Sequence, residues 1–425
     1  MRVLLTANPG TSIFMSMAPL GWALRTAGHE VRFASQPFFA DTITQAGLTA
    51  VPVGRSSDFS RILTSMGITE EAVEEARSGL SEPYDVVEDP ENATWEGVFP
   101  PYETEVERYK YETFPIIGGL VQFALAWKPD LVVWEPFTYA GPIAAKACGA
   151  AHARLLWGVD VYGPTREIFL RLKDGQPAAA REDPLADWLG GYGRKHGFEF
   201  TEDMTTGNFT IDQLPASLQA ETGLPSVPMR FVPYGGAATV PKWLWAQPER
   251  PRIALTLGTT ATEHFAGYTV DIQDVLDALA DLDVEVVATV AEHEQGKLAR
   301  VPDNARLLSY VPLHALAPTC AAVINHAGGG TLTTFALHAV PQLTLPHHFD
   351  EPILARKLAE QGAGLVLGTA EANGRTIREA VQRLLGEPGF REGADRLRAE
   401  LLAMPSPNEV VPRLEELTAE FRADG

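Results

Sequence analysis

The chain has 425 residues, 45% hydrophobic and 21% charged, a globular balance that suggests about two or three domains. Its 34 Lys and Arg against 55 Asp and Glu give a formal net charge of −21, which excludes sequence-independent nucleic-acid binding and argues against anionic membranes. No apolar stretch is long enough to span a membrane and no basic leader opens the chain. Cys148 and Cys320 sit in apolar surroundings outside any metal pattern, so a soluble cytoplasmic protein is expected.

The first block alternates strand and helix. Residues 2–6 read as a buried strand, 18–27 as a helix stopped by Gly28, 30–34 as a strand, 38–46 as a helix and 49–53 as a strand. The alternation resumes with a strand at 129–134, a helix at 140–148 and a strand at 152–157. Such alternation with glycine stops predicts a parallel sheet with right-handed crossovers. Between these blocks, residues 55–118 are acidic and aromatic, with Tyr84, Trp95, Phe99, Tyr102, Tyr109, Tyr111 and Phe114. They read either as solvent-facing helices and loops or as a lid or aromatic wall for an apolar ligand. A second insertion, 164–220, carries Trp188, Tyr192 and Phe198. A Pro/Gly-punctuated linker follows, in which Trp243 and Trp245 are expected to pin the chain down.

The second block repeats the alternation. Strands are predicted at 253–257, 284–290, 305–308, 320–325, 342–345 and 364–367, and helices at 275–281, 354–360, 375–385, 393–402 and 408–421. Two doubly wound domains would face each other across a cleft, with ligands beyond the carboxyl ends of the strands.

The most telling motif is Asn325-His326-Ala327-Gly328-Gly329-Gly330-Thr331. A strand, a glycine turn and a helix start make an anion site: backbone N–H groups approach an oxygen, and the helix N-terminus adds about half a positive charge. His326 and Thr331 add side-chain donors. The motif lacks the Gly-Lys-Ser/Thr of a P-loop, and no G-x-G-x-x-G opens either sheet, which argues against a dehydrogenase. A tight turn that merely relieves crowding is the plain alternative. Gly258-Thr259-Thr260 and the segment 347–351 follow other strands of the same sheet and converge on the same rim.

These residues resemble the GT-B glycosyltransferases, specifically the family that moves nucleotide-activated sugars onto small natural products. His326 to Thr331 matches that family's pyrophosphate motif. Tyr310-Val311-Pro312-Leu313 resembles the segment that stacks on the nucleobase and contacts its edge through backbone. Asp350-Glu351 stands where the family has Asp-Gln, which reads sugar hydroxyls. The resemblance implies an acceptor domain at 1–235 joined by a returning helix at 406–425, a linker at 236–251, and a nucleotide-sugar domain at 252–405. It also implies an inverting transfer of a deoxysugar from a dTDP donor to a polyketide or aromatic aglycone, with no metal or other cofactor. Thr259, Thr260, Tyr310, Val311, His326, Gly328, Gly329, Gly330, Thr331, Asp350 and Glu351 would form the donor site. Some relatives need an auxiliary protein resembling a haem-less cytochrome monooxygenase, and a homodimer is a further option.

The chain departs from the family at the base. A histidine usually lies in the loop before the first helix; here the position falls on Ile13. Glu135, Asp350 or the His347-His348 pair could take the proton instead. Alternatively a phenol attacks through carbon to give a C-glycoside, or the chain is impaired or partner-dependent. Ile13, Phe14, Met15, Trp134, Glu135 and Asp160 are the expected acceptor side, although Asp160 also reads as a turn or capping residue. Glu351 in place of Gln would favour a cationic amino sugar. An epimerase of the same fold and a non-catalytic subunit are the competing readings.

Overall fold

The computed structural model describes residues 1–57, 69, 77–220, 222–263, 265 and 267–422. Part of the acidic-aromatic insertion therefore lies outside the described residues. Apolar strands buried on both faces assemble two wholly parallel sheets, as covered parallel sheets require. The first holds β1 (Arg2–Thr6), β2 (Glu30–Ser35), β3 (Ala50–Pro52), β4 (Leu131–Trp134), β5 (Ala151–Leu155), β6 (Phe209–Asp212) and β7 (Ser226–Pro228), in the order β3-β2-β1-β4-β5-β6-β7. The second holds β8 (Arg252–Thr256), β9 (Glu285–Thr289), β10 (Ala305–Leu308), β11 (Ala322–Asn325), β12 (Gln342–Thr344) and β13 (Gly364–Val366), in the order β10-β9-β8-β11-β12-β13. In each sheet the order reverses beside the first strand, which opens a crevice at the carboxyl ends.

Several elements differ from the sequence reading. Helix α1 spans Thr11–Thr26 and contains Pro19, so it starts well before residue 18 and places Ile13 in its first turn rather than in a loop. Strands β6 and β7 went unpredicted: they are short, and Gly207, Pro225 and Pro228 around them read as turn signals. The described part of the first insertion is dominated by one helix, α2 (Trp95–Trp127), which tolerates three prolines. Its aromatic residues mostly build core rather than an acceptor wall. Tyr84, Tyr102 and Tyr109 are buried, and Trp95, Phe99 and Tyr102 pack on Phe169 of α4 (Tyr162–Asp174). Helix α3 (Ala140–Cys148) packs between α2 and the sheet. In the linker, Trp243 lies under Arg252 and Arg306, but Trp245 is 71% exposed and pins nothing.

The last helix ties the two halves together. Helix α9 (Pro407–Phe421) follows α8 (Pro388–Ala403) and packs on α1 and β5 of the first sheet. The Ser406 hydroxyl accepts from Glu409 N, the Glu409 carboxylate accepts from Ser406 N, and Pro407 opens the first turn. This is a capping box with proline at its favoured position. Val410, Val411, Leu414 and Leu417 are its buried face. Leu414→Ala, at a fully buried position, is expected to lower unfolding free energy by about 2–5 kcal/mol in urea titrations.

Candidate active site

The glycine motif folds as the sequence suggests. At the end of β11 the Asn325 side chain donates to Gln342 Oε1 and accepts from Ala327 N, both at 2.8 Å. These bonds turn the chain through Ala327, at φ +66°. Helix α6 (Gly329–Ala336) then begins behind Gly328 with no side-chain cap. Its first N–H groups therefore receive no side-chain cap, and such an uncapped helix start is the element that anion sites use. The His326 ring is wedged between two glycines. A Cβ on Gly258 would lie 2.7 Å from His326 Nε2, and one on Gly328 only 2.3 Å from it. Gly258 also has φ +72°. Burial drives His326 down to about 4, so the wall of the cradle is a neutral imidazole that donates through one nitrogen.

Thr260 opens the short helix α5 (Thr260–Glu263) and lines the same cavity as His326, while Thr259 is exposed. Gly330 is open, and Thr331 is half-buried. Tyr310 is 49% exposed, and its hydroxyl donates to Gly235 O at 3.0 Å. Val311 is buried in the core, so only its backbone is placed to meet a base.

Asp350 and Glu351 divide their tasks. Asp350 Oδ2 accepts from Val159 N at 2.8 Å, a bond between the two halves of the chain. Burial, with Glu351 beside it, raises Asp350 to about 7. Helix α7 (Glu351–Glu360) starts immediately after it. Glu351 Oε2 accepts from His347 N at 3.0 Å and His348 N at 2.8 Å, while Oε1 lies 3.9 Å from His326 Nε2. Burial raises this carboxyl also to about 7. His348 is driven down to about 4 by burial and packs edge-on against Phe265. Neither is the disposition of an exposed loop base.

Across the crevice, Glu135 sits just past β4 and is wholly buried. Its Oε1 accepts from Asn8 N at 3.4 Å and from the Thr138 hydroxyl, and its Oε2 accepts from Phe137 N at 3.0 Å. Burial raises its pKa, against the pull of these donors and of the nearby Trp157 indole. Near it stand Phe137, Trp157, Tyr162 and Phe349, whose contacting ring centroids are 5.2–6.5 Å apart. The Tyr162 hydroxyl is buried without a partner among the described residues.

Three expected acceptor residues lie elsewhere. Phe14 is core, edge-on to Phe33 and Phe39, because the helical register of α1 turns it inward. Trp134 is fully buried at the end of β4, where Gly141 of α3 packs against it. Asp160 pairs at 2.5 Å with the fully buried Arg154 and accepts from Gly163 N at the start of α4. It is a structural counter-ion and cap. Ile13 and Met15 stay half-buried; Met15 reaches the linker at Gly236.

Two residues escaped sequence reading. Glu112 of α2 accepts from Asn8 Nδ2 at 3.2 Å, and burial, with Glu135 nearby, raises it to about 7. Arg77 lines the donor cavity from the first half of the chain. Both are brought in by contacts distant in sequence, and no local motif marks them. Among the described residues, no group of three or more His, Cys, Asp or Glu is arranged to hold a metal. No described helix is long and apolar enough to cross a membrane.

Two parallel sheets and an uncapped helix start walled by a neutral imidazole are the architecture of a GT-B glycosyltransferase. The comparisons agree. Models of the erythromycin biosynthesis protein CIII-like family match the N-terminal domain over residues 22–258 and the C-terminal domain over residues 273–417. The chain is 44% identical to 10-deoxymethynolide desosaminyltransferase of Streptomyces venezuelae, over 99% of this chain and 98% of that one. It is 43% identical to 3-alpha-mycarosylerythronolide B desosaminyl transferase of Saccharopolyspora erythraea, over 99% of each. The glycosyltransferase VinC, solved in complex with dTDP, superposes with a TM-score of 0.87 at 38% identity, covering 99% of this chain and 100% of that one. The chain belongs to this EryCIII-like family of glycosyltransferases.

The wedge around His326 makes a sharp contrast between neighbouring glycines. Gly328→Ala is expected to destabilise the fold by about 1–3 kcal/mol through overpacking. Gly330→Ala, whose Cβ would meet only Phe231 at 3.6 Å, should stay within about 0.5 kcal/mol of the native protein in the same urea titration.

Proposed function

We propose that this protein transfers a deoxysugar from a dTDP donor to a hydroxyl of a polyketide or aromatic aglycone, with inversion at the anomeric carbon. The observation that carries this reading is that Trp157 neighbours both sides: its backbone carbonyl lies against Gly329 at the uncapped α6 start, and its indole lies beside the buried Glu135 carboxylate. The donor's diphosphate takes the α6 N–H groups and the His326 N–H. Donors already aimed at the charge that grows on a leaving group can contribute several kcal/mol to catalysis. The aglycone lies against Phe137, Trp157 and Tyr162. Glu135 removes the hydroxyl proton as the oxygen attacks the anomeric carbon from the face opposite the diphosphate. The C–O bond to the diphosphate breaks, and dTDP leaves. Desosaminyl transfer by the relatives above and the dTDP bound to VinC support the same substrate classes.

The reading is tested by incubating the protein with dTDP-deoxysugars and polyketide aglycones, with and without an auxiliary protein of the haem-less monooxygenase type. An acid-labile glycoside is expected. An acid-stable sugar–aglycone bond would mean attack through carbon, isomerised donor would mean an epimerase, and dTDP binding without transfer or donor hydrolysis would mean a non-catalytic subunit.

Glu135→Gln should lower kcat about 10²- to 10⁴-fold, the usual contribution of a positioned base, while dTDP affinity is unchanged. Because burial raises the Glu135 pKa and only the ionised form accepts a proton, kcat/KM should climb as pH rises through that pKa. A flat native profile, or full activity in the variant, would exclude Glu135 as the base.

Glu351 bears on the sugar. Its Oε2 is held by two backbone N–H groups, and its Oε1 lies near His326. A carboxylate there favours a cationic amino-deoxysugar over a neutral one. Glu351→Gln is expected to raise KM for an amino-deoxysugar donor more than for a neutral deoxysugar donor; equal changes would remove the charge argument.

A further inference from the structure

The donor cavity in the second half of the molecule is completed from the first half. Ser78 and Gly79 form backbone bridges with His348, and Gly79 N donates to His347 O at 2.7 Å. This short strap sets Arg77, only 5% exposed, among the side chains that line the cavity in front of His326, with Thr260, Phe265 and Glu351. The guanidinium carbon lies 4.6 Å from the centroid of the Phe265 ring. A guanidinium laid on a ring face is held in plane and directs its N–H donors along its edge, the geometry that matches a phosphate.

The charge pattern narrows the ligand. His326 and His348 are both driven down to about 4 and are neutral. Among the described lining residues, Arg77 is the one permanent cation, in a chain whose formal net charge is −21. A doubly charged diphosphate entering this cavity meets the neutral His326 imidazole and the Thr260 side chain on one side. The opposing field of the protein must be offset locally, and Arg77 is the group placed to do so.

We propose that Arg77 binds the diphosphate of the sugar nucleotide, so that the donor site is shared between the two halves of the chain and is complete only when the strap is seated on His347 and His348. This rests on the donor reading given above. The competing role is purely structural: Arg77 also attracts the Glu351 carboxylate and could serve only to hold the strap.

The two roles separate when dTDP and thymidine binding are compared by calorimetry in the native protein, Arg77→Gln and Arg77→Lys. Arg77→Gln is expected to weaken dTDP about tenfold or more, the scale of one lost charge-assisted contact, and to leave thymidine unchanged. Its dTDP affinity should also fall less steeply with added salt than the native affinity does. Arg77→Lys keeps the charge without the planar fork, and should weaken dTDP to a smaller extent with thymidine again unchanged. Native dTDP affinity in both variants would overturn the proposal. So would an equal loss of dTDP and thymidine, which marks a residue that only supports the fold. If Arg77→Gln does not fold, Arg77→Lys decides by the same comparison. A native protein that binds neither ligand would instead overturn the donor reading itself.

Discussion

The placement of the His326 ring between Gly258 and Gly328 is the constraint from which the donor side follows. Both glycines lie within 3 Å of the ring when given a Cβ, so neither position admits a side chain. The strand–turn geometry after β8 and β11 is thereby fixed around one imidazole. Burial keeps that imidazole neutral, which makes it a donor that carries no charge of its own. The α6 start that follows Gly328 has no side-chain cap. On the other wall, Glu135 is held by three donors and still raised by burial. The Asp350–Val159 bond joins the two halves of the chain.

Much of this was legible in the sequence. The strands of the second sheet and all but β6 and β7 of the first announced themselves as short apolar runs, because strands buried on both faces need no alternation. The motif from Asn325 to Thr331 was legible because its chemistry is local: strand, turn and helix start are consecutive. The position of Glu135 just past β4 was legible for the same reason, since it ends a predicted strand.

What was not legible depended on packing between distant segments. Tyr84, Tyr102 and Tyr109 could equally have walled a ligand or filled a core, and composition alone does not choose; α2 and α4 chose the core. Asp160 was matched to Arg154 only through the adjacency of β5 and the α4 start. Phe14 and Trp134 were misplaced by helical register and by the close packing of Gly141. Glu112 enters the acceptor side through Asn8, 104 positions away. Arg77 enters the donor side through backbone pairing with His348. Each of these depends on where two helices or two halves meet.

The chain passes between its halves twice, once through the linker and once where α8 gives way to α9. The segment that leads into the first passage touches the second: Arg230 N donates to Pro405 O at 2.8 Å, and the Arg230 guanidinium donates to Leu402 O at 3.1 Å. Two bodies joined by a pair of adjacent tethers cannot slide or twist freely past each other. They keep, in effect, the kinematics of a book with one spine. Separation of the walls must therefore be a rotation about this edge, which moves the far rim most and the tethered edge least. The strap at His348 and the Asp350–Val159 contact are bonds between the halves apart from these tethers, so such a rotation has to reckon with them.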